Sequence, residues 1–287
     1  MSHVSDGAGR RSYGVMQGRL SPPEDGRFQS FPRVSWREEI ARAQAVGLEY
    51  IEWIHDEYGR SANPIFTEGG RAELAALKQQ HGIATPALCG DWFMDFPFVR
   101  CTVVEREARQ QHLHDLLGIA ASIGARRIVL PFVDQSRIAD EAEKEIALSV
   151  LRTALPHAKE HGVELHLEAD FGPQEFAAFL DRLDDSFLKV NWDAGNSSGL
   201  GYVAGEEFAA YGHRLGSVHL KDRYRKPEGG IETRPLGTGS ADFDDVFSSL
   251  KTLNYTGGVT LQVARGKDND EVDFLRGQLA FVKARWS

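Results

Sequence analysis

A recurring phrase organises this chain: a helical pattern of apolar positions, a glycine, then a short apolar run. It reads AVGLEYIEWI, QHGIATPAL, SIGARRIVLPF and EHGVELHLE, with its glycines at Gly47, Gly82, Gly124 and Gly162. Glycine carries no Cβ penalty in left-handed backbone, so each one marks the end of a helix just before a strand. The glycines lie 35, 42 and 38 residues apart, close to the period of about 36 that eight units in 287 residues require. The pattern predicts helices over 35–47, opened by a Ser35-Trp36-Arg37-Glu38 capping box, and over 70–81, 104–123, 140–161, 173–183, 204–212, 242–253 and 270–285. Between them, apolar runs predict strands near 12–17, 48–54, 83–89, 127–132, 163–169, 188–193, 215–221 and 258–263.

Strict strand–helix alternation makes the strands parallel, and eight such units close into an α/β single-domain (β/α)8 TIM barrel. The barrel is expected over 11–287, after a flexible N-terminal segment at 1–10. An open doubly wound sheet would carry a glycine-rich phosphate loop after its first strand; here that stretch reads MQGRLSPP, which favours the barrel.

Composition narrows the function classes. Apolar residues are 41% and charged residues 26% of the chain, the balance of a water-soluble domain with a large core. Thirty-three Lys and Arg against 42 Asp and Glu leave a net charge of −9, so no counterion release rewards contact with DNA or RNA, and no nucleic-acid partner is expected. Cys89 and Cys101 are too few for a disulfide framework and fit a reducing, cytoplasmic setting. The polar opening MSHVSDGAGRRS lacks a secretion signal, and no run is long and apolar enough for a membrane span.

In a barrel the active site lies where the strands end, so polar residues closing an apolar run are the informative ones. The fifth strand closes His166-Leu167-Glu168-Ala169-Asp170, the sixth Asn191-Trp192-Asp193, the seventh Val218-His219-Leu220-Lys221-Asp222 and the eighth Leu261-Gln262-Val263. Singly, each has a bland use: a helix cap, a surface acid or a core histidine. Together, Glu168, Asp193, His219 and Gln262 bring carboxylates, an imidazole and an amide oxygen to one mouth, a donor set that suits one divalent ion of Mn, Mg, Co, Fe or Zn.

The phrases HLEAD, NWDAGN, VHLKD and RPLGTGSADF, with GVMQGRLSP at the start, resemble the xylose-isomerase-like barrels. Within them, the resemblance is to the sugar-phosphate isomerase/epimerase group, related to ketose 3-epimerases and endonuclease IV. It covers nearly the whole chain. It implies a metal held by Glu168, Asp193, His219 and the eighth-strand position, here Gln262, with a functional lysine at Lys221. Ketose epimerases of this group place a glutamate at the eighth strand, where it binds metal and moves a proton. Gln262 can ligate, but an amide is no base near neutral pH.

One base, Glu168, therefore survives, able to take a proton from carbon while the metal stabilises a developing enediolate. The leading expectation is an isomerase or epimerase of a sugar or sugar phosphate. A metal-dependent dehydratase of a keto-sugar or cyclitol, and a catalytically silent sugar-binding protein, both stay open. A second acid could come from Lys221, Asp170, His166 or Glu52. Gln17, Arg19, Glu52, His55, Asp170 and Arg265 are expected to contact substrate, with Arg19, Lys221 and Arg265 suited to phosphate or sugar hydroxyls. Trp53, Trp92 and Phe93 offer aromatic faces to a sugar ring. Gly237-Thr238-Gly239 reads as a tight turn before a helix capped by Asp242, with phosphate binding as its rival use. The charged, glycine-rich stretch 223–233 reads as a mobile lid, and pairing into a homodimer is left open.

Overall fold

The structure is a computed structural model that describes residues 11–267 and 270–286; the segment expected to be flexible, 1–10, lies outside the described residues. Seven parallel strands come first: β1 (Tyr13–Met16), β2 (Tyr50–Ile54), β3 (Ala87–Cys89), β4 (Arg127–Phe132), β5 (Glu164–Ala169), β6 (Leu188–Asp193) and β7 (Leu215–Leu220). An antiparallel hairpin follows, β8 (Asp222–Arg225) and β9 (Ile231–Arg234), and then β10 (Val259–Leu261), which pairs with both β7 and β1 and closes the barrel.

The helices around it are α1 (Trp36–Val46), α2 (Glu68–His81), α3 (Trp92–Asp95), α4 (Val103–Ser122), α5 (Glu141–His161), α6 (Pro173–Asp181), α7 (Ala194–Leu200), α8 (Ala204–Tyr211), α9 (Phe243–Thr252) and α10 (Glu271–Lys283). The repeat glycines end their helices as the sequence predicts: Gly47 has φ 86° and Gly162 φ 64°, each with its N–H returned to the last helical turn. None of the described helices is long and apolar enough to cross a membrane.

Strand alternation sorts the side chains. On β5 the leucines Leu165 and Leu167 are buried in the apolar layer under the helices, while His166 and Glu168 point the other way. That other side is the barrel lumen, because Glu52 on β2 reaches both His219 on β7 and Thr260 on β10 across it. The lumen is thus polar from mid-barrel upward on this side. Asn191 and Asp193, two residues apart on β6, face into it together by the same alternation.

One local reading needs correction. Ser35 makes no side-chain cap on α1; the helix instead begins on a backbone bond from Trp36 to the Pro32 carbonyl. The nearby Glu39 carboxylate turns inward to accept the N–H groups of Gly18 and Leu20, at 2.7 and 3.1 Å. A true capping box stands at Thr102–Glu105, opening α4. The stretch 223–233 is the β8–β9 hairpin, four residues paired with four around a turn where Gly229 and Gly230 have φ 97° and 91°.

Candidate active site

Three polar side chains meet where β5, β6 and β7 end, and Gln262, just after β10, lines the cavity that Glu168 also lines. Glu168, Asp193 and His219 are buried, and each offers a ligand atom within 4.8 Å of the others. The seven-residue helix α7 starts directly at Asp193, whose Oδ1 accepts the N–H groups of Gly195 and Asn196 at 2.8 and 2.9 Å. The cap fixes the carboxylate and leaves Oδ2 for the Lys221 ammonium, 2.9 Å away. Lys221 can lie across α7 because residue 195 is glycine: a Cβ there would stand 2.7 Å from the lysine Cγ. Glu168 is held by two amides, Asn191 at 2.8 Å and Asn196 from α7.

His219 is oriented from below. Its Nε2 lies 2.8 Å from the Glu52 carboxylate in a pair with no solvent exposure, so Nδ1 is the ring nitrogen on the Glu168 side, 3.5 Å from Oε2. A carboxylate behind an imidazole is the arrangement that fixes the tautomer of a metal-binding histidine. Burial alone would make the ring less basic, but Glu52 and Glu168 outweigh it and raise its pKa to about 10. Burial likewise works against the Asp193 anion, and Lys221 and His219 overcome it, holding that carboxyl below its ordinary value.

The Gln262 amide has a determined orientation. Gln29 Nε2 donates to Asp91 at 2.8 Å, so Gln29 Oε1 faces the other way and accepts from Arg19 at 2.9 Å. The group that meets this oxygen from Gln262, at 2.8 Å, must therefore be the NH2 end. Gln262 Oε1 is left buried with no hydrogen-bond partner. This orphaned acceptor lines the same cavity as Glu168, and it fits a cation there, since a buried oxygen left unpaired is costly.

A cavity of about 200 Å³ opens beside Glu168, lined among others by Lys221, Gln262, Asn196, Asp91 and Arg223. Phe28 supplies it with an aromatic face, whereas Trp53 and Phe93 are core residues and the Trp92 indole N–H is bonded to Glu57. The remaining sequence candidates fall into three groups. Glu52 braces His219, and Asp170 accepts the Asp134 N–H at the rim, where burial raises its carboxyl to about 6. Gln17, His55 and His166 are buried in the interior: Gln17 accepts the Ile54 N–H, His55 meets His112 at 2.7 Å, and His166 bonds Ser217 and Glu164.

Arg19 and Arg265 clamp backbone. Arg19 holds the carbonyls of Val263 and Phe28, and Arg265 those of Phe28, Gly18 and Ser21. The turn at 237–239 also has an occupant. The buried Asp222 carboxylate accepts the N–H groups of Gly237, Gly239 and Ala241 at 2.9, 2.8 and 3.1 Å, where barrels often place a phosphate. Asp242 caps α9. Gln29, Asp91, Asn191 and Asn196 were not singled out by the sequence; the strand alternation around Asp193 could have pointed to Asn191.

Comparison with known proteins agrees with this architecture. The family model described as xylose isomerase-like TIM barrel matches residues 40–283. A Haemophilus influenzae protein provisionally named L-ribulose-5-phosphate 3-epimerase is 25% identical over 250 residues, covering 83% of this chain and 86% of that one. Among solved structures, a D-psicose 3-epimerase with D-tagatose from Clostridium cellulolyticum H10 superposes with a TM-score of 0.75 at 15% identity, over 96% of this chain and 99% of that one. A protein called IolI, which carries a zinc atom, superposes at 0.77 and 16% identity, over 96% and 99%.

Proposed function

Because the chain belongs to the xylose isomerase-like TIM barrel family, we propose that it is a divalent-metal-dependent epimerase or isomerase of an unphosphorylated keto-sugar, with Glu168 as a base. The observation that carries this reading is the convergence of Glu168, Asp193 and His219, with the unpartnered Gln262 oxygen on the cavity that Glu168 lines. Those four residues would hold the ion. When bound, it supplies Lewis-acid stabilisation of negative charge on substrate oxygens. Glu168, fixed by Asn191 and Asn196 at the cavity floor, takes the proton from the carbon beside the carbonyl. Lys221, facing the same cavity, offsets charge at Asp193 and donates a hydrogen bond toward substrate oxygens.

The case for a sugar without phosphate rests on occupied donors. Arg19 and Arg265 hold backbone carbonyls, and the backbone nest at 237–241 holds Asp222. Arg223 lines the cavity, where its field acts on Asp170 and Asp193. On this reading the chain parts from relatives named for a phosphorylated ketose.

The test incubates the protein and Mn2+ with D-tagatose, D-allulose, L-ribulose and L-ribulose 5-phosphate in D2O. Deuterium entering beside the carbonyl of a free ketose without loss of water is the expected result. Loss of water instead would make the protein a dehydratase, and neither change with any ketose would overturn the reading.

A smaller effect follows from the brace on His219. Glu52→Gln is expected to weaken Mn2+ binding by about 10- to 100-fold, since the residue behind a ligating imidazole sets its orientation and basicity. Calorimetric titration measures this, and an unchanged affinity would mean His219 does not ligate.

A further inference from the structure

We propose that Asp91 is the second proton-transfer group of this site, working on the substrate carbon from the side of the cavity where Gln262 stands. The inference rests on the epimerase reading above. Inverting a carbon by proton transfer needs an acid on the face away from the base, and Gln262 cannot be it. Asp91 follows the end of β3 and lines the same cavity as Glu168 and Gln262. Glu168 is fastened from β6 and α7, while Asp91 is fastened to Gln29 and through it to Gln262, so the two carboxyls reach the cavity from different groups of elements.

Other groups suit the task less well. The Lys221 ammonium is tied to Asp193 at 2.9 Å, and Asp134 is exposed at the rim. Asp91 is buried, accepts Cys89 Sγ at 3.0 Å and Gln29 Nε2 at 2.8 Å, and has Asp56, Glu168 and Arg19 as its charged neighbours. Burial is the main reason its carboxyl titrates near 6; the two hydrogen bonds oppose that rise, and Asp56 and Glu168 add to it. A carboxyl in that range can both give and take a proton near neutral pH.

Protons balance over one turnover. Glu168 breaks the C–H bond and keeps the proton, and the electron pair moves into the adjacent carbonyl system. Protonated Asp91 then forms the new C–H bond and becomes carboxylate. Exchange with solvent returns both groups to their starting states, and the reverse reaction uses them in the opposite order.

Asp91→Asn separates a proton-transfer role from a merely structural one. With D-tagatose and its C3 epimer as separate starting sugars in D2O and Mn2+ present, the wild type should exchange the C3 hydrogen of both and interconvert them. The variant should still exchange one epimer, lose exchange of the other by 100-fold or more, and invert neither. It should also lose the limb near pH 6 in its rate profile while keeping its Mn2+ content and circular dichroism. Asp91→Glu should restore part of the inversion. Equal loss from both epimers, or an inversion-to-exchange ratio like the wild type's, would overturn the assignment. Wild-type protein inert toward every free ketose would instead overturn the epimerase reading beneath it.

Discussion

Glu168→Gln should lower C–H exchange on a ketose by about 10³-fold, the usual scale for removing a positioned general base. The change is isosteric, yet the site will feel it. Glu168 accepts from two amide NH2 groups, those of Asn191 and Asn196. A glutamine can offer its oxygen to one of them and must turn an NH2 against the other, so about 1 kcal/mol of stability is lost with that bond. Asp193, His219 and the Gln262 oxygen remain, so Mn2+ should stay bound, more weakly. Exchange followed by NMR, beside elemental analysis of the purified variant, measures both effects. A variant that exchanges at the wild-type rate would remove Glu168 from the chemistry.

A second large effect is expected at Asp222, away from the reacting carbon. Its carboxylate is fully buried and accepts three backbone N–H groups. Asp222→Ala orphans all three, a loss of about 4–9 kcal/mol at about 1.5–3 kcal/mol for each bond to a charged group, and for a chain of this size a melting point lower by roughly 10 °C or more. The vacated nest would present convergent N–H donors to solvent, a geometry that takes anions. Millimolar inorganic phosphate should therefore raise the melting point of the variant and leave the wild type unmoved. A wild type stabilised as strongly by phosphate would show that an anion site is open elsewhere, and the unphosphorylated substrate would have to be given up.

How far the sequence reaches depends on where each signal resides. The eight strands follow from short apolar runs and glycine-ended helices, both local features. Glu168, Asp193 and His219 are legible because a strand alternates its side chains, so a polar residue closing an apolar run has few places to point. Gln29, Asp91 and Asn196 belong to loops and to a single short helix, and what brings them to the mouth is the path of those segments through space. The same holds for Asp222: its sequence neighbours suggest a strand end, while its partners lie fifteen to nineteen residues further on. Arg19 and Arg265 are ambiguous in the sequence for a related reason. A cation near a strand end suits an anionic substrate and a backbone carbonyl equally well, and only packing decides. The helices Trp92–Asp95 and Ala194–Leu200 are too short to display a 3.6-residue period.

The two arginines that clamp the segment after β1 have one more consequence. They stitch residues 18–28 to the end of β10, and Gln29 is pinned from three directions, so that bank of the mouth is set before any sugar arrives. The facing bank is a two-stranded flap whose tip, 227–231, is exposed. On the proposed ketose chemistry, tolerance for longer or shorter sugar tails is set at the hairpin's base, where Arg223 and Thr233 line the cavity: exchanging Thr233 should retune which ketoses are accepted, whereas changes on the stitched bank should disturb the chemistry itself.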